Sequence, residues 1–448
     1  MLDMEGEPSD ASGVRLDYIP RSDYLDPAFH KAEVERLWPR VWQIACREEE
    51  IPNPGDYVNY EIVEDSILVL RGKDGVIRAF HNVCPHRGRR LRDDARGNVP
   101  VLRCNYHAWR FNLEGRLIDR PNPEDWAGCP GVEHDEDIGL VDVKVDTWGG
   151  MVWINMDPDC EPLREFLAPL PEKLDAFEFE HCRLAAYWTI QIPVNWKVVL
   201  EAFVEAYHVA GTHPQMLKFG HGPAPSPPED LAGLRKHSTH TTTKTHGPPE
   251  NSPYAGADAR TLMHGVFDEL NKTLKALYLE PAMEAARKLL VEVPQGADVA
   301  TVRQQNWQFH KEAILNSGAR WPERLTPEDL WGTAWQIFPN SSVLPAVDGA
   351  LWYRMRPDGD DANACTFDIW VLGRYAPGKE PRVEQEFFPT PADFKGKSPF
   401  LEQDFENLVA VQKGMRSRAW KGARPNPVQE VTVSNLHRVL HQHLFGNR

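Results

Sequence analysis

The spacing of apolar and polar positions changes along the chain. Over residues 26–38, Phe29, Val34, Leu37 and Trp38 recur at helical intervals. Over residues 56–153 the apolar runs are short and are parted by turn residues. Residues 66–70 and 76–80 flank Lys73-Asp74-Gly75, and an Asp-Gly pair between apolar runs predicts a hairpin. Residues 149–155 read as another strand, closed by Asp157-Pro158-Asp159. Beyond Cys160 the texture is mixed. Residues 194–208, 261–293, 302–317 and 401–418 carry helical spacing, and strand-like runs broken by turns fill 331–375. Residues 220–253, rich in Pro, Gly, His and Thr, read as a long irregular loop. No internal repeat is visible. The expected architecture is α+β, with an all-β module inserted in a larger α+β domain.

Composition narrows the function classes. A chain of 448 residues suggests two or three domains at roughly 150 residues each. The net charge of −16 argues against nucleic acid or an anionic membrane as the main partner. No apolar run approaches the roughly 18 residues that a bilayer span needs. Residues 1–10 are acidic and lack the apolar segment of a secretory signal, so a cytoplasmic location is expected. The seven cysteines are Cys46, Cys84, Cys104, Cys129, Cys160, Cys182 and Cys365. An odd, sparse set of this kind does not suggest a disulfide framework.

Two of those cysteines sit beside histidines. Cys84-Pro85-His86 is followed, after 17 residues, by Cys104-Asn105-Tyr106-His107. Each half offers one thiolate and one imidazole from a single tight loop. A Cys₂His₂ zinc site is one candidate. The other is a Rieske [2Fe–2S] cluster, in which two Cys hold one iron and two His hold the other. Zinc fingers tend to pair like ligands, whereas here each half pairs unlike ones.

A second constellation lies downstream. If residues 194–208 form one helix, Glu201, Glu205 and His208 share a face at i, i+4 and i+7. Gly211 is then a candidate terminator and Pro214 blocks continuation, so His213 can turn back toward His208. Two imidazoles and one carboxylate make the facial triad that suits non-haem Fe(II). The same residues also read as an ordinary helix end with a solvated acidic face. The carboxylate is open at this point. Glu402, Asp404 and Glu406 all precede Gln412-Lys413-Gly414.

Together these segments resemble the Rieske non-haem iron aromatic-ring-hydroxylating oxygenases, specifically the α (catalytic) subunit. The first carries C-x-H…C-x-x-H with Arg87-Gly88 and Trp109; Ala108 stands where the family usually has Gly. The second carries Asn195-Trp196-Lys197, Glu201, Glu205, Tyr207, His208 and His213, with Ala202 where many members have Asn and Glu205 where many have Asp. The resemblance implies a Rieske cluster on Cys84, His86, Cys104 and His107, and a mononuclear Fe(II) on His208, His213 and Asp404. It implies that Glu205 bridges the cluster of one subunit to the iron of its neighbour. It divides the chain into residues 1–44 and 161–448 for the catalytic domain, a helix-grip-like antiparallel sheet flanked by helices, and 45–160 for the Rieske domain.

The implied activity is that of a terminal oxygenase. It would use O₂ and electrons from NAD(P)H, delivered by a separate reductase with or without a ferredoxin, to hydroxylate an aromatic or other hydrophobic small molecule. The implied assembly is a homotrimer or α3β3. No dinucleotide fingerprint occurs, and Pro391 stands where a P-loop ending at Gly396-Lys397-Ser398 needs its first Gly. Two other readings share some of the motifs: an O- or N-demethylating monooxygenase, and an electron carrier without catalytic iron. Phe203, Trp335, Phe338 and Trp352 are candidate pocket residues, with plain core packing as the alternative. His237, His240 and His246 have no ligand spacing and are expected in a solvated loop.

Overall fold

The computed structural model describes residues 15–223, 236–239, 243–245, 247–330 and 332–446. It divides into two compact units, Val34–Phe166 and the flanking segments Met1–Glu33 with Leu167–Arg448.

The unit Val34–Phe166 is built on a seven-stranded antiparallel sheet. Its order is Gln43–Arg47, Met151–Asn155, Asp142–Trp148, Ile77–His81, Asp65–Arg71, Asp56–Ile62 and Arg96–Asn98. The expected hairpin is present: Leu68 lies opposite Phe80 and Leu70 opposite Arg78. Ile67, Leu68, Val69 and Leu70 are all fully buried, so this strand is covered on both faces and its sequence does not alternate. A three-stranded sheet, Leu102–Arg103, Arg110–Phe111 and Leu117–Asp119, adds to it. Cys84 and Cys104 are buried among Leu68, Leu70, Phe80, Leu91 and Leu102.

The other unit also contains a seven-stranded sheet. Its order is Ser238–Thr239, Trp335–Ile337, Ser341–Ala346, Gly349–Asp358, Asp361–Gly373, Arg183–Ile192 and Glu386–Phe388. All pairings are antiparallel except the last, which is parallel. In its middle, the buried Asp368 accepts hydrogen bonds from Thr189, Arg354 and Arg356. Burial disfavours the charge on Asp368, but the two guanidinium groups outweigh it and lower its pKa. Helices Ala259–Thr273 and Val299–Asn316 begin at Asp258 and Asp298, whose carboxylates accept from backbone amides three residues on. Helix Pro399–Met415 begins at Ser398 in the same way. Helix Val431–Phe445 follows near the C-terminus. None of the described helices is long and apolar enough to cross a membrane.

Several expectations need correction. The single helix expected over 194–208 is only Trp196–Glu201, and Glu205 and His208 lie on the turns that follow. The physical reason is local. The Glu205 carboxylate accepts from the backbone amides of Tyr207 and His208, which a continuing helix would need for its own ladder. Gly211 is no terminator either; it sits inside a separate short helix, Val209–Thr212, and Pro214 opens the next, Pro214–Leu217. The stretch expected as a long irregular loop also contains strands among its described residues. Ser238–Thr239 pairs with Trp335–Ile337, and His221–Pro223 pairs with Thr243–Thr245. His237 is buried and its Nδ1 accepts from the Phe338 amide, so it is not solvated. His240 and His246 lie outside the described residues.

Candidate metal centres

The first centre consists of two loops of matching construction. In one, the Gly88 amide donates to the Cys84 carbonyl and the Cys84 amide donates to Arg89. In the other, the Ala108 amide donates to the Cys104 carbonyl and the Cys104 amide donates to Trp109. Gly88 and Ala108 both adopt the left-handed conformation, with φ of 74° and 61°. Each loop therefore projects its Cys inward and its His toward the same point. The His86 and His107 rings lie 4.5 Å apart, and His86 stacks on Trp109 at 4.8 Å. Arg120 lies against the rings of Trp109 and Trp126 and pairs with Asp135.

These residues suit an iron–sulfur cluster. Cys84 and Cys104 are buried and form no disulfide. Burial pushes the Cys84 thiol up to about 11, and the adjoining Cys104 adds to the rise, so without a cation the Cys84 thiol would stay protonated. Burial and the neighbouring His107 lower His86, which favours the neutral, ligating imidazole. Nδ1 of His107 is buried and makes no hydrogen bond.

The second centre is assembled from distant segments. Asn195 caps helix Trp196–Glu201, its side chain accepting from the Lys197 amide. Trp196 is fully buried, and the Lys197 ammonium is held 2.5 Å from the buried Glu33 carboxylate. The Asn195 amide donates to Gln412, which belongs to helix Pro399–Met415. The two helices are thus pinned together; the second carries Asp404, and the turns that follow the first carry His208 and His213 to the same place. One donor atom each of His208, His213 and Asp404 lie within 4.8 Å of one another. His213 Nε2 is 3.0 Å and His208 Nε2 3.7 Å from Asp404 Oδ1.

The outer nitrogens are also engaged. His208 Nδ1 bonds Glu205 at 2.7 Å, and His213 Nδ1 bonds Gln403 at 2.9 Å. Phe400 stacks on His213. Holding Nδ1 leaves Nε2 of each ring to a metal. Nε2 of His213 is buried and makes no hydrogen bond. Burial disfavours charge on His208, but the hydrogen bond and charge of Glu205, helped by Asp404, raise its pKa. Of the competing carboxylates, Glu402 accepts from the Gly396 amide and Glu406 is exposed; neither joins the cluster.

A cavity of about 590 Å³ opens beside this donor set, lined by Glu201, Glu205, His208, Asp404, Arg424 and Glu430 among others. Two imidazoles and one carboxylate with space alongside fit a non-haem iron that keeps open positions. Phe203, Trp335, Phe338 and Trp352 are buried, and none lines this cavity. Phe203 instead packs on Tyr353 and Phe367. Gln403 and Glu430 carried no sequence signal of their own; only their place beside the site, on helix Pro399–Met415 and just before helix Val431–Phe445, reveals them.

Residues 179–446 match the family model of the ring hydroxylating alpha subunit (catalytic domain), and residues 41–134 match that of the Rieske [2Fe-2S] domain. The chain belongs to the ring-hydroxylating α-subunit family. Membership brings both cofactors, a Rieske [2Fe–2S] cluster and a mononuclear non-haem iron, and it sets aside an electron carrier without catalytic iron. The glycine betaine monooxygenase oxygenase subunit of Pseudomonas aeruginosa (strain UCBPP-PA14) is 35% identical over 202 residues, 45% of this chain and 46% of that protein. The carnitine monooxygenase oxygenase subunit of Escherichia coli (strain K12) is 38% identical over 198 residues, 44% of this chain and 52% of that protein. The chain thus spans about half the length of the curated relatives it matches. A solved quaternary ammonium Rieske monooxygenase in complex with its substrate L-carnitine shares the fold, with a TM-score of 0.62 at 19% identity; the match covers 98% of this chain and 99% of that one.

Proposed function

We propose that this chain is the terminal oxygenase component of a reductive oxygenase system. The observation that carries the reading is the convergence of His208, His213 and Asp404 beside a cavity, in a chain that also holds a Cys₂His₂ module. In this reading the three residues hold the mononuclear iron, and Cys84, His86, Cys104 and His107 hold the cluster. The iron supplies O₂ binding at its open positions and the cluster supplies single electrons. Glu205 keeps the His208 ring oriented and, in a head-to-tail trimer, faces the cluster of the neighbouring subunit. Residues 45–160 store charge, and residues 1–44 with 161–448 carry the oxygen chemistry. A separate reductase, with or without a ferredoxin, delivers electrons from NAD(P)H.

For the substrate, kinship favours a small quaternary ammonium compound, since glycine betaine and carnitine name the relatives above. Oxidation of a carbon bonded to the ammonium nitrogen expels an amine, with a methyl carbon leaving as formaldehyde. The second reading is hydroxylation of an aromatic or other hydrophobic molecule. Val198, Leu408, Val411 and Val433 on the cavity wall favour it.

The test is metal analysis followed by turnover. Purified protein should hold about three irons and two acid-labile sulfides per chain, from one Rieske cluster and one mononuclear site. Zinc in place of iron and sulfide would end the reading. With a reductase present, betaine- or carnitine-dependent O₂ uptake with amine or formaldehyde release supports the first substrate class. Hydroxylated aromatic products with no such release support the second.

A further inference from the structure

A chain of titratable side chains leads away from the cavity. Glu201, the last residue of helix Trp196–Glu201, lines the cavity. Its Oε1 lies 2.7 Å from Nε2 of His437, on helix Val431–Phe445. His437 is fully buried, and its Nδ1 lies 2.9 Å from Oδ2 of Asp23. The same Oδ2 lies 2.8 Å from Nε2 of His441, one helical turn further on. Asp23 is buried, whereas the His441 side chain keeps 12% of its surface exposed. Carboxylate and imidazole thus alternate without a gap from the protein surface to the cavity.

We propose that His441, Asp23, His437 and Glu201 form a proton relay from solvent to the cavity bordered by Glu205, His208 and Asp404. The proposal rests on the oxygenase reading, whose chemistry needs it. Monooxygenation consumes RH + O₂ + 2 e⁻ + 2 H⁺ and yields ROH + H₂O. The electrons arrive from the reductase, and the two protons must come from solvent. An imidazole can take a proton at Nδ1 and release one at Nε2, which suits His437 to a position between two carboxylates.

The surroundings keep the relay loaded. Burial opposes charge on His437, but hydrogen bonds to Asp23 and Glu201 raise it to about 9. The groups that face this path are Asp23 and Tyr24 from the N-terminal segment, Glu201, Glu205 and His208 from the iron-site segment, and Glu430 and His441 on or beside its own helix. Arg424 also lines the cavity. Burial holds the Tyr24 phenol neutral. Burial and the charges of Glu205 and Glu201 push Glu430 up to about 7, so additional negative charge in the cavity is already opposed there. A proton on His437 is therefore available whenever the cavity becomes more negative.

The test separates relay from scaffold. Peroxide-driven turnover, RH + H₂O₂ → ROH + H₂O, takes up no net proton. His441→Ala is expected to slow reductase-driven turnover roughly tenfold or more, in the range of a lost acid–base group, with substrate KM unchanged. Added imidazole should restore the rate, and peroxide-driven turnover should fall far less. Independently of activity, solvent exchange of the His437 ring N–H, followed by NMR in the full-length ¹⁵N-histidine-labelled chain before iron loading, should slow in His441→Ala and recover with imidazole. His441→Gln, closer in size, serves if the alanine variant does not fold. Unchanged turnover and exchange would overturn the relay, as would a loss that is equal with peroxide and not rescued. If the parent chain oxygenates nothing by either route, the oxygenase reading fails, and the exchange measurement still reports on the relay.

Discussion

Ala108 sits at φ 61°, where a Cβ crowds the following carbonyl, and its counterpart in the matching loop is Gly88 at φ 74°. The loop keeps its geometry because Ala108 and Trp109 are tied back to the two ends of Cys104. Ala108→Gly is therefore expected to stabilise the cluster module by about 0.5–1 kcal/mol, the relief of left-handed strain less the entropy that glycine adds to the unfolded chain. Denaturant melts followed by cluster absorbance would measure it, and a loss of stability would contradict it. At this scale the sequence was readable: C-x-H and C-x-x-H named the four ligand-type residues because each pair comes from one short loop. The backbone strain was not readable, since φ depends on how that loop closes.

Elements decide which ligand-type residues meet. A helix over 194–208 would have carried Glu205 and His208 on one face; the actual chain leaves the helix at Glu201 because the Glu205 carboxylate captures the Tyr207 and His208 amides. That break lets Glu205 hold His208 Nδ1 instead of facing solvent. On the opposing helix, Asp404 is buried at the cluster, while Glu402 and Glu406 point elsewhere. Gln403 sits 190 residues from His213 yet holds its Nδ1, and it accepts from Gln215 as well. Gln403→Ala should lower iron affinity about 10–100-fold by freeing the His213 ring, with the cluster spectrum unaltered. Chelator competition on the purified variant would read this directly, and unchanged affinity would remove Gln403 from the support of the site.

Over the whole molecule, the N-terminal segment and the last helix are joined through buried charge. His437 lies between Asp23 and Glu201, which lie 414 and 236 residues away in sequence. The folded-state pKa of His437 is raised to about 9, above its unfolded value. Its contribution is therefore complete below about pH 6.5 and disappears as pH rises through 9. Stability should fall by a few kcal/mol over that window, and His437→Gln should flatten this part of the profile. Thermal or denaturant melts at pH 6, 8 and 9.5 provide the check; an identical slope in the variant would assign the loss to other groups. Asp23, held down to about 2 by His437 and His441 against its burial, loses its own contribution only at acid pH.

The sequence by itself determined the order of the two modules, the hairpin at Lys73-Asp74-Gly75, the four cluster-type residues and the pair His208 and His213. The hairpin and the ligand-type pairs are legible because their members lie within a few residues of one another. Tertiary structure decided the rest. It chose Asp404 among three carboxylates, brought Gln403 behind His213, and drew Asp23, Glu201, His437 and His441 into one line. It also buried His237, expected in solvent, by adding a strand to the sheet edge. The reason is physical: which side chains share a buried space depends on how helices and strands pack, and local periodicity carries no information about partners hundreds of residues away.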